Sequence, residues 1–138
     1  MTSGLERYDR QVLLRDIGEE GQRRLLDSTV LLLGCGALGS VVADLLSRAG
    51  VGHLVIVDRD VVEVTNLQRQ LLFDERDAAD GLPKAEAARR RIASINSGIR
   101  VTAVVDNIDH STISRYGNGV DLMIDGLDNL ETRYLAND

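Results

Sequence analysis

At 138 residues the chain has room for one compact core and too little for two. Hydrophobic residues make up 43% of it but aromatics only 3%, a balance that suits a Leu/Val/Ile/Ala-rich sheet flanked by helices better than a sandwich. The net charge of −6 with dispersed Lys and Arg argues against nucleic acid; the single Cys35 excludes an intrachain disulfide and a cysteine-rich zinc site; no apolar run or signal-peptide pattern points to a membrane, so a cytoplasmic protein is expected.

Residues 1–28 are polar with Leu13, Leu14, Ile17, Leu25 and Leu26 interspersed, which predicts one or two surface helices ahead of a main domain spanning 29–138. An unbroken apolar run, Thr29–Leu33, enters Gly34-Cys35-Gly36-Ala37-Leu38-Gly39, and apolar residues then recur at Leu38, Val41, Val42, Leu45, Leu46 and Ala49. That spacing is helical, so the unit reads strand, glycine turn, helix. Gly50 and Gly52 end the helix, and His53–Val57 is a second buried-type strand closing on Asp58. Residues 59–82 mix Asp, Arg and Gly and predict a long functional loop with short helical turns. Pro83 stands where a helix begins, and Lys84–Ile95 carries Ala85, Ala88, Ile92 and Ile95 on one face, with Arg89, Arg90 and Arg91 as a solvated remainder. Strands at about 100–105 and 121–124 flank a short helix at about 111–116, and another helix starts at Asp128. Alternation of this kind predicts an α/β fold, a Rossmann-like doubly wound, mostly parallel sheet with helices on both faces. Such domains usually have six strands, so a sheet truncated after its fourth strand is expected.

The pattern Gly34-x-Gly36-x-x-Gly39 follows a strand and opens a helix, and Asp58 ends the next strand. This is the context of a dinucleotide fingerprint: glycines allow a tight turn and close approach of a ligand, the helix N-terminus presents unpaired amides, and the acid accepts hydrogen bonds from ribose hydroxyls. By themselves these residues serve ATP or NAD equally, so an NAD-dependent oxidoreductase domain stays open. His53 and His110 show no metal-ligand spacing, and Cys35 occupies the variable position of the turn, where a small side chain packs against the sheet.

The following segment, Asp58-Arg59-Asp60-Val61-Val62-Glu63-Val64-Thr65-Asn66-Leu67-Gln68-Arg69-Gln70, resembles the signature after the second strand in the ThiF/MoeB/HesA family and in the adenylating domain of ubiquitin-activating enzymes. Three more motifs accompany it in the same order: Arg7-Tyr8-x-Arg10-Gln11, Lys84 opening its helix, and Asp125-x-x-Asp128-Asn129 with Arg133. The resemblance implies an adenylyltransferase in which the C-terminal carboxylate of a ubiquitin-like or sulfur-carrier protein ending in Gly-Gly attacks the α-phosphate of ATP and releases pyrophosphate. It also implies that Gly34, Gly36, Ala37, Gly39 and Asp58 surround the nucleotide, that Asn66, Arg69 and Lys84 contact its phosphates, and that Asp60 and Gln70 belong to the same site. Asp128 would hold Mg²⁺ with Asn129 beside the nucleotide, and Arg10, in segment 1–28, would reach into the site of a second copy in a homodimer. Asp60 and Glu63 read equally as solvated charges or as supports for Arg69, Asp128 with Glu131 as a capping box, and Asp125 as a structural strand end. Relatives continue for about as many residues again, with a transfer cysteine and often a zinc site; this chain is expected to carry most of the ATP site and little of the carrier site. A non-catalytic carrier-binding module is the remaining alternative.

Overall fold

Strands that are apolar at every position bury both faces, and the two such runs become the centre of the sheet. In the computed structural model, which describes residues 4–127, these are β1 (Thr29–Leu33) and β2 (His53–Val57), flanked by β3 (Arg100–Val104) and β4 (Leu122–Asp125). All pair in parallel in the order β3-β2-β1-β4, with His53 beside both Thr29 and Arg100, and Leu33 beside both Val57 and Asp125. A 3-10 turn (Glu6–Tyr8) and helices α1 (Asp9–Val12) and α2 (Gly18–Leu26) precede the sheet. Helices α3 (Ala37–Ala49), α4 (Glu75–Ala79), α5 (Lys84–Ile95) and α6 (His110–Gly117) connect its strands. The expected α/β parallel architecture is thus present, and no helix among the described residues is long and apolar enough to cross a membrane.

Alternation along the strands divides the core. Val30, Leu32, Leu54 and Ile56 point into a cluster with Ala43 of α3 and Ala85, Ala88 and Ile92 of α5. Leu31, Leu33, Val55 and Val57 point the other way, against Ile113 and Tyr116 of α6. Helix α3 packs differently from what its apolar spacing suggests. Its buried residues are Gly39, Ser40, Ala43 and Ser47, whereas Leu38 and Leu45 face outward. Small side chains at i, i+4 and i+8 let the helix axis approach the sheet, and the larger leucines are left for another contact.

The N-terminal segment is held by polar side chains. An α-helix ends with carbonyls that lack intrahelical partners, and here α3 and α5 have theirs met from a distance. Arg7 Nη1 donates to Ile95 O at 2.9 Å. Asn96 Nδ2 donates to the Tyr8 hydroxyl and to Ser47 O, both at 2.9 Å. Gln11 Nε2 donates to Ala49 O at 2.9 Å and Gln22 Oε1 at 2.6 Å, while Gln22 Nε2 donates to Ala49 O at 3.0 Å. Tyr8, Gln22, Ser47 and Asn96 are all buried. The network sits at the edge of the sheet where the strands begin, because His53 follows α3 and Arg100 follows α5.

Replacing Asn96 by Ala removes both donor bonds and the acceptor that Gly98 N uses at 3.0 Å. Buried groups left unpaired in this way should lower stability by about 2–4 kcal/mol, measured by urea denaturation with circular dichroism.

Candidate functional site

At the opposite edge of the sheet β1 runs into the glycine turn. Gly34 N donates to Val57 O at 2.8 Å, and Gly34 has φ +91°, a left-handed conformation that favours glycine. A Cβ on Gly39 would lie 2.1 Å from Gly34 O, so the first turn of α3 can rest on β1 only with glycine there. Gly36 is the N-cap of α3 and offers no capping side chain. The amides that open the helix at Ala37 therefore face outward from the strand end, where an anion is favoured by the donors and by the helix dipole.

Asp58 holds this turn. Its Oδ2 accepts from Cys35 N at 2.8 Å and its Oδ1 from Asp60 N at 2.7 Å, in a nearly buried position. Each carboxylate oxygen keeps capacity for a further donor, such as a ribose hydroxyl. Lys84 opens α5 beside it: its backbone N donates to Asp60 O at 2.8 Å, and its Nζ lies 3.9 Å from Asp60 Oδ2. With 7% of the residue exposed, this is a buried cation at the strand ends. Asp60 stands between Lys84 and Arg59, whose Nε is 3.7 Å away.

The crossover from β2 to α5 is shaped by a capping box. Glu63 N donates to Asn66 Oδ1 at 2.8 Å, and the Glu63 side chain receives the Asn66 backbone N–H in return. Asn66 thus spends its acceptor on the turn and keeps its amide donor, the half of the side chain suited to a phosphate oxygen. Arg69 is exposed, with Nη1 donating to Thr65 O at 3.1 Å. The next residue turns inward: Gln70 is 3% exposed, its Nε2 is 3.7 Å from where a Cβ on Gly36 would stand, and its Oε1 is buried without a partner. Neither Asp60 nor Glu63 takes the role of supporting Arg69; one faces Lys84 and the other closes the 3-10 turn (Val64–Asn66). The Glu63-x-x-Asn66 spacing is the sequence signal for that cap. At the end of β4, beside Leu33, Asp125 Oδ1 accepts from Leu127 N at 2.8 Å.

Gly34, Gly36, Ala37, Gly39, Asp58, Asp60, Gln70 and Lys84 are therefore gathered at the ends of β1 and β2, with Asn66 and Arg69 on the adjoining loop. Arg10 is not with them. It lies in α1, between Tyr8 and Gln11, at the far edge of the sheet. Asp128, Asn129, Glu131 and Arg133 lie outside the described residues, as does the helix expected to start at Asp128. Among the described residues no group of three or more His, Cys, Asp or Glu side chains is gathered to hold a metal ion.

Residues 8–138 match the model of the ThiF family. The chain belongs to the ThiF family. It is 45% identical over 132 residues to the sulfur carrier protein ThiS adenylyltransferase of Bacillus subtilis, covering 96% of this chain and 39% of that protein. It is 42% identical to the SAMP-activating enzyme E1 of Haloferax volcanii, covering 97% of this chain and 49% of that protein. Among solved structures, the tRNA N6-threonylcarbamoyladenosine dehydratase TcdA of E. coli in complex with ATP matches with a TM-score of 0.87 and 31% identity over 96% of this chain and 53% of that one. The chain thus spans about half the length, or less, of these relatives.

The one cysteine of this ThiF-family chain is chemically quiet. Burial, and then the Asp58 carboxylate, push the Cys35 thiol up to about 12, with the Lys84 ammonium pulling the other way. Its ordinary value is 9.0, so above that pH the unfolded chain loses a proton that the folded chain retains, and stability falls as pH rises from about 9 towards 12. Cys35→Ala should flatten that part of the pH profile of stability relative to the parent, and native Cys35 should be silent to a disulfide exchange reagent at pH 8 while reacting once the chain is unfolded.

Proposed function

We propose that the protein carrying this chain adenylates the C-terminal carboxylate of a ubiquitin-like or sulfur-carrier protein, with ATP as the other substrate. The observation that carries this reading is the buried Lys84 ammonium beside the glycine turn and Asp58. Hydride transfer would use the same turn and acid, but it gives no work to a buried lysine and an exposed guanidinium placed together. A triphosphate does. The names of the relatives at 40–45% identity, sulfur-carrier and molybdopterin-synthase adenylyltransferases among them, support the same reading.

The chemistry is a displacement at phosphorus. A carboxylate oxygen forms a bond to the α-phosphorus as the bond to pyrophosphate breaks, leaving an acyl adenylate. The nucleophile is already ionised and needs no base; the obstacle is repulsion between two anions. The amides at the start of α3, the amide donor of Asn66, the planar fork of Arg69 and the point charge of Lys84 answer that repulsion. Asp58 holds the ribose and the turn together. Mg²⁺ is usually bound by one or two carboxylates plus substrate phosphates, a requirement that Asp128 meets by its chemistry, next to Asn129; bound there, the ion would neutralise phosphate charge. A terminal Gly-Gly on the carrier would bring the carboxylate in without side-chain bulk.

The position of Arg10 supports the homodimer in this reading. Helix α3, about 20 Å long at 1.5 Å per residue, separates the segment that bears Arg10 from its own glycine turn. An arginine cannot cross that span, so a role for Arg10 in this chemistry is a role at the site of a second copy. Leu13 and Leu14 at the end of α1, 74% and 56% exposed, and the outward Leu38 and Leu45 of α3 supply apolar surface for that contact.

ATP–pyrophosphate exchange with a cognate carrier tests the reading in the intact protein. Lys84→Ala and Arg69→Ala should each slow exchange about 100-fold or more, the usual cost of losing one oriented donor to developing charge. Asp128→Asn should nearly abolish it, and Arg91→Ala on the solvated face of α5 should leave it unchanged. Tight NAD binding with no binding of Mg-ATP would overturn the assignment.

A further inference from the structure

Three of the five residues in Arg7-Tyr8-Asp9-Arg10-Gln11 are tied down, and Arg10 is not. Arg7 caps the last carbonyl of α5, Tyr8 takes the Asn96 amide, and Gln11 caps α3 at Ala49. Gln22 and Asn96, both essentially inaccessible to solvent, join these contacts into one network reaching Ser47 and Ala49. Arg10, in the middle, is exposed and makes no hydrogen bond or ion pair with the described residues. The network binds the segment to the C-terminal ends of the two helices whose N-terminal ends carry the glycine turn and Lys84.

We infer that Tyr8 and Gln11 are positioning residues for Arg10, holding it in register for the site of the partner copy rather than serving the site of their own chain. This rests on the assignment of Arg10 to action across a dimer. The physical reason is the cost of order: a long exposed side chain on a four-residue helix is far from preorganised, since so short a helix is marginal alone. Anchors two residues before it and one after it, bonded to rigid helix ends, fix the backbone from which it projects and leave only its own rotamers to settle.

Mixed dimers of the intact protein separate the two roles. Lys84→Ala silences one nucleotide site, so the remaining activity belongs to the other chain. In the first arrangement a latch variant, Tyr8→Phe or Gln11→Ala, shares a chain with Lys84→Ala, and the intact site depends on the damaged latch of its partner. In the second, the latch variant is on the chain with the intact site. The expected result is a kcat in ATP–pyrophosphate exchange lowered about fivefold in the first arrangement, the effect of one ordinary hydrogen bond, with KM for ATP unchanged. The second arrangement should match the Lys84→Ala/wild-type dimer. Arg10→Ala is placed in both arrangements alongside. If Arg10→Ala shows the asymmetry and the latch variants slow the second arrangement, slow both equally or slow neither, the positioning role is overturned and the trans arginine stands. If Arg10→Ala itself shows no asymmetry, both are overturned. Tyr8→Phe deletes a single oxygen and carries the test should Gln11→Ala fail to accumulate as folded protein.

Discussion

The Asp58 carboxylate is the contact on which the rest of the site depends. It takes one backbone N–H from the glycine turn and another from the start of the crossover loop, and its own N–H goes to Val104 O of β3. The glycine turn, the start of the crossover loop and β3 are therefore fixed to one residue at the carboxyl end of the sheet. Hydrogen bonds to an ionised acceptor are about twice as strong as neutral ones, and without this acceptor the buried amide of Cys35 would be left unpaired in the interior. The same charge explains the chemistry around it. It raises the thiol of Cys35, while Lys84, paired with Asp60 from the first turn of α5, pulls that thiol the other way.

How far this arrangement could be read from the residues differs from element to element. The limits of β1, β2 and α5 coincide with the sequence expectation because two unbroken apolar runs and a Pro83-Lys84 start leave little choice. The face on which α3 packs was not legible. Its contact residues are Gly39, Ser40, Ala43 and Ser47, which carry little hydrophobic weight, so the leucines dominated the pattern while facing outward. The roles of Gln11, Gln22 and Asn96 were equally hidden, since each is an ordinary polar residue whose partner lies up to 88 positions away in the chain. The place of Asp58 at the end of β2 was legible, but its hold on the turn depends on distances between backbone amides, which no spacing rule contains. Gln70 is a similar case. A position in the motif says nothing of its burial against Gly36.

A chain of net charge −6 would have to reverse its field locally to take the triphosphate proposed for it. The acidic residues of the N-terminal helices achieve part of this by being neutralised in place: Glu19 pairs with Arg23 and Glu20 with Arg24, while on α5 Glu86 pairs with both Arg89 and Arg90 and is held at about 2. These exposed pairs contribute little to stability. Their effect is to occupy guanidinium groups away from the strand ends, while Arg69 and Lys84 bring positive charge to the loop and helix start beside the glycine turn.

Helix α3 then acts as a spacer with a different task at each end. Its N-terminus offers donors to an anion, and its C-terminal carbonyl at Ala49 receives the side chains that anchor the segment around Arg10. A helix whose C-terminal carbonyls are held by fixed partners and whose first turn rests on β1 transmits position along its length without needing to move. The small residues that seat it on the sheet serve the same purpose, because a close contact of Gly39 on Gly34 leaves no slack for sliding. In the proposed dimer the glycines of the turn and the glutamines of the latch answer one constraint: Arg10 and a nucleotide at opposite edges of one domain would meet only between two copies, and only if the distance between those edges is constant.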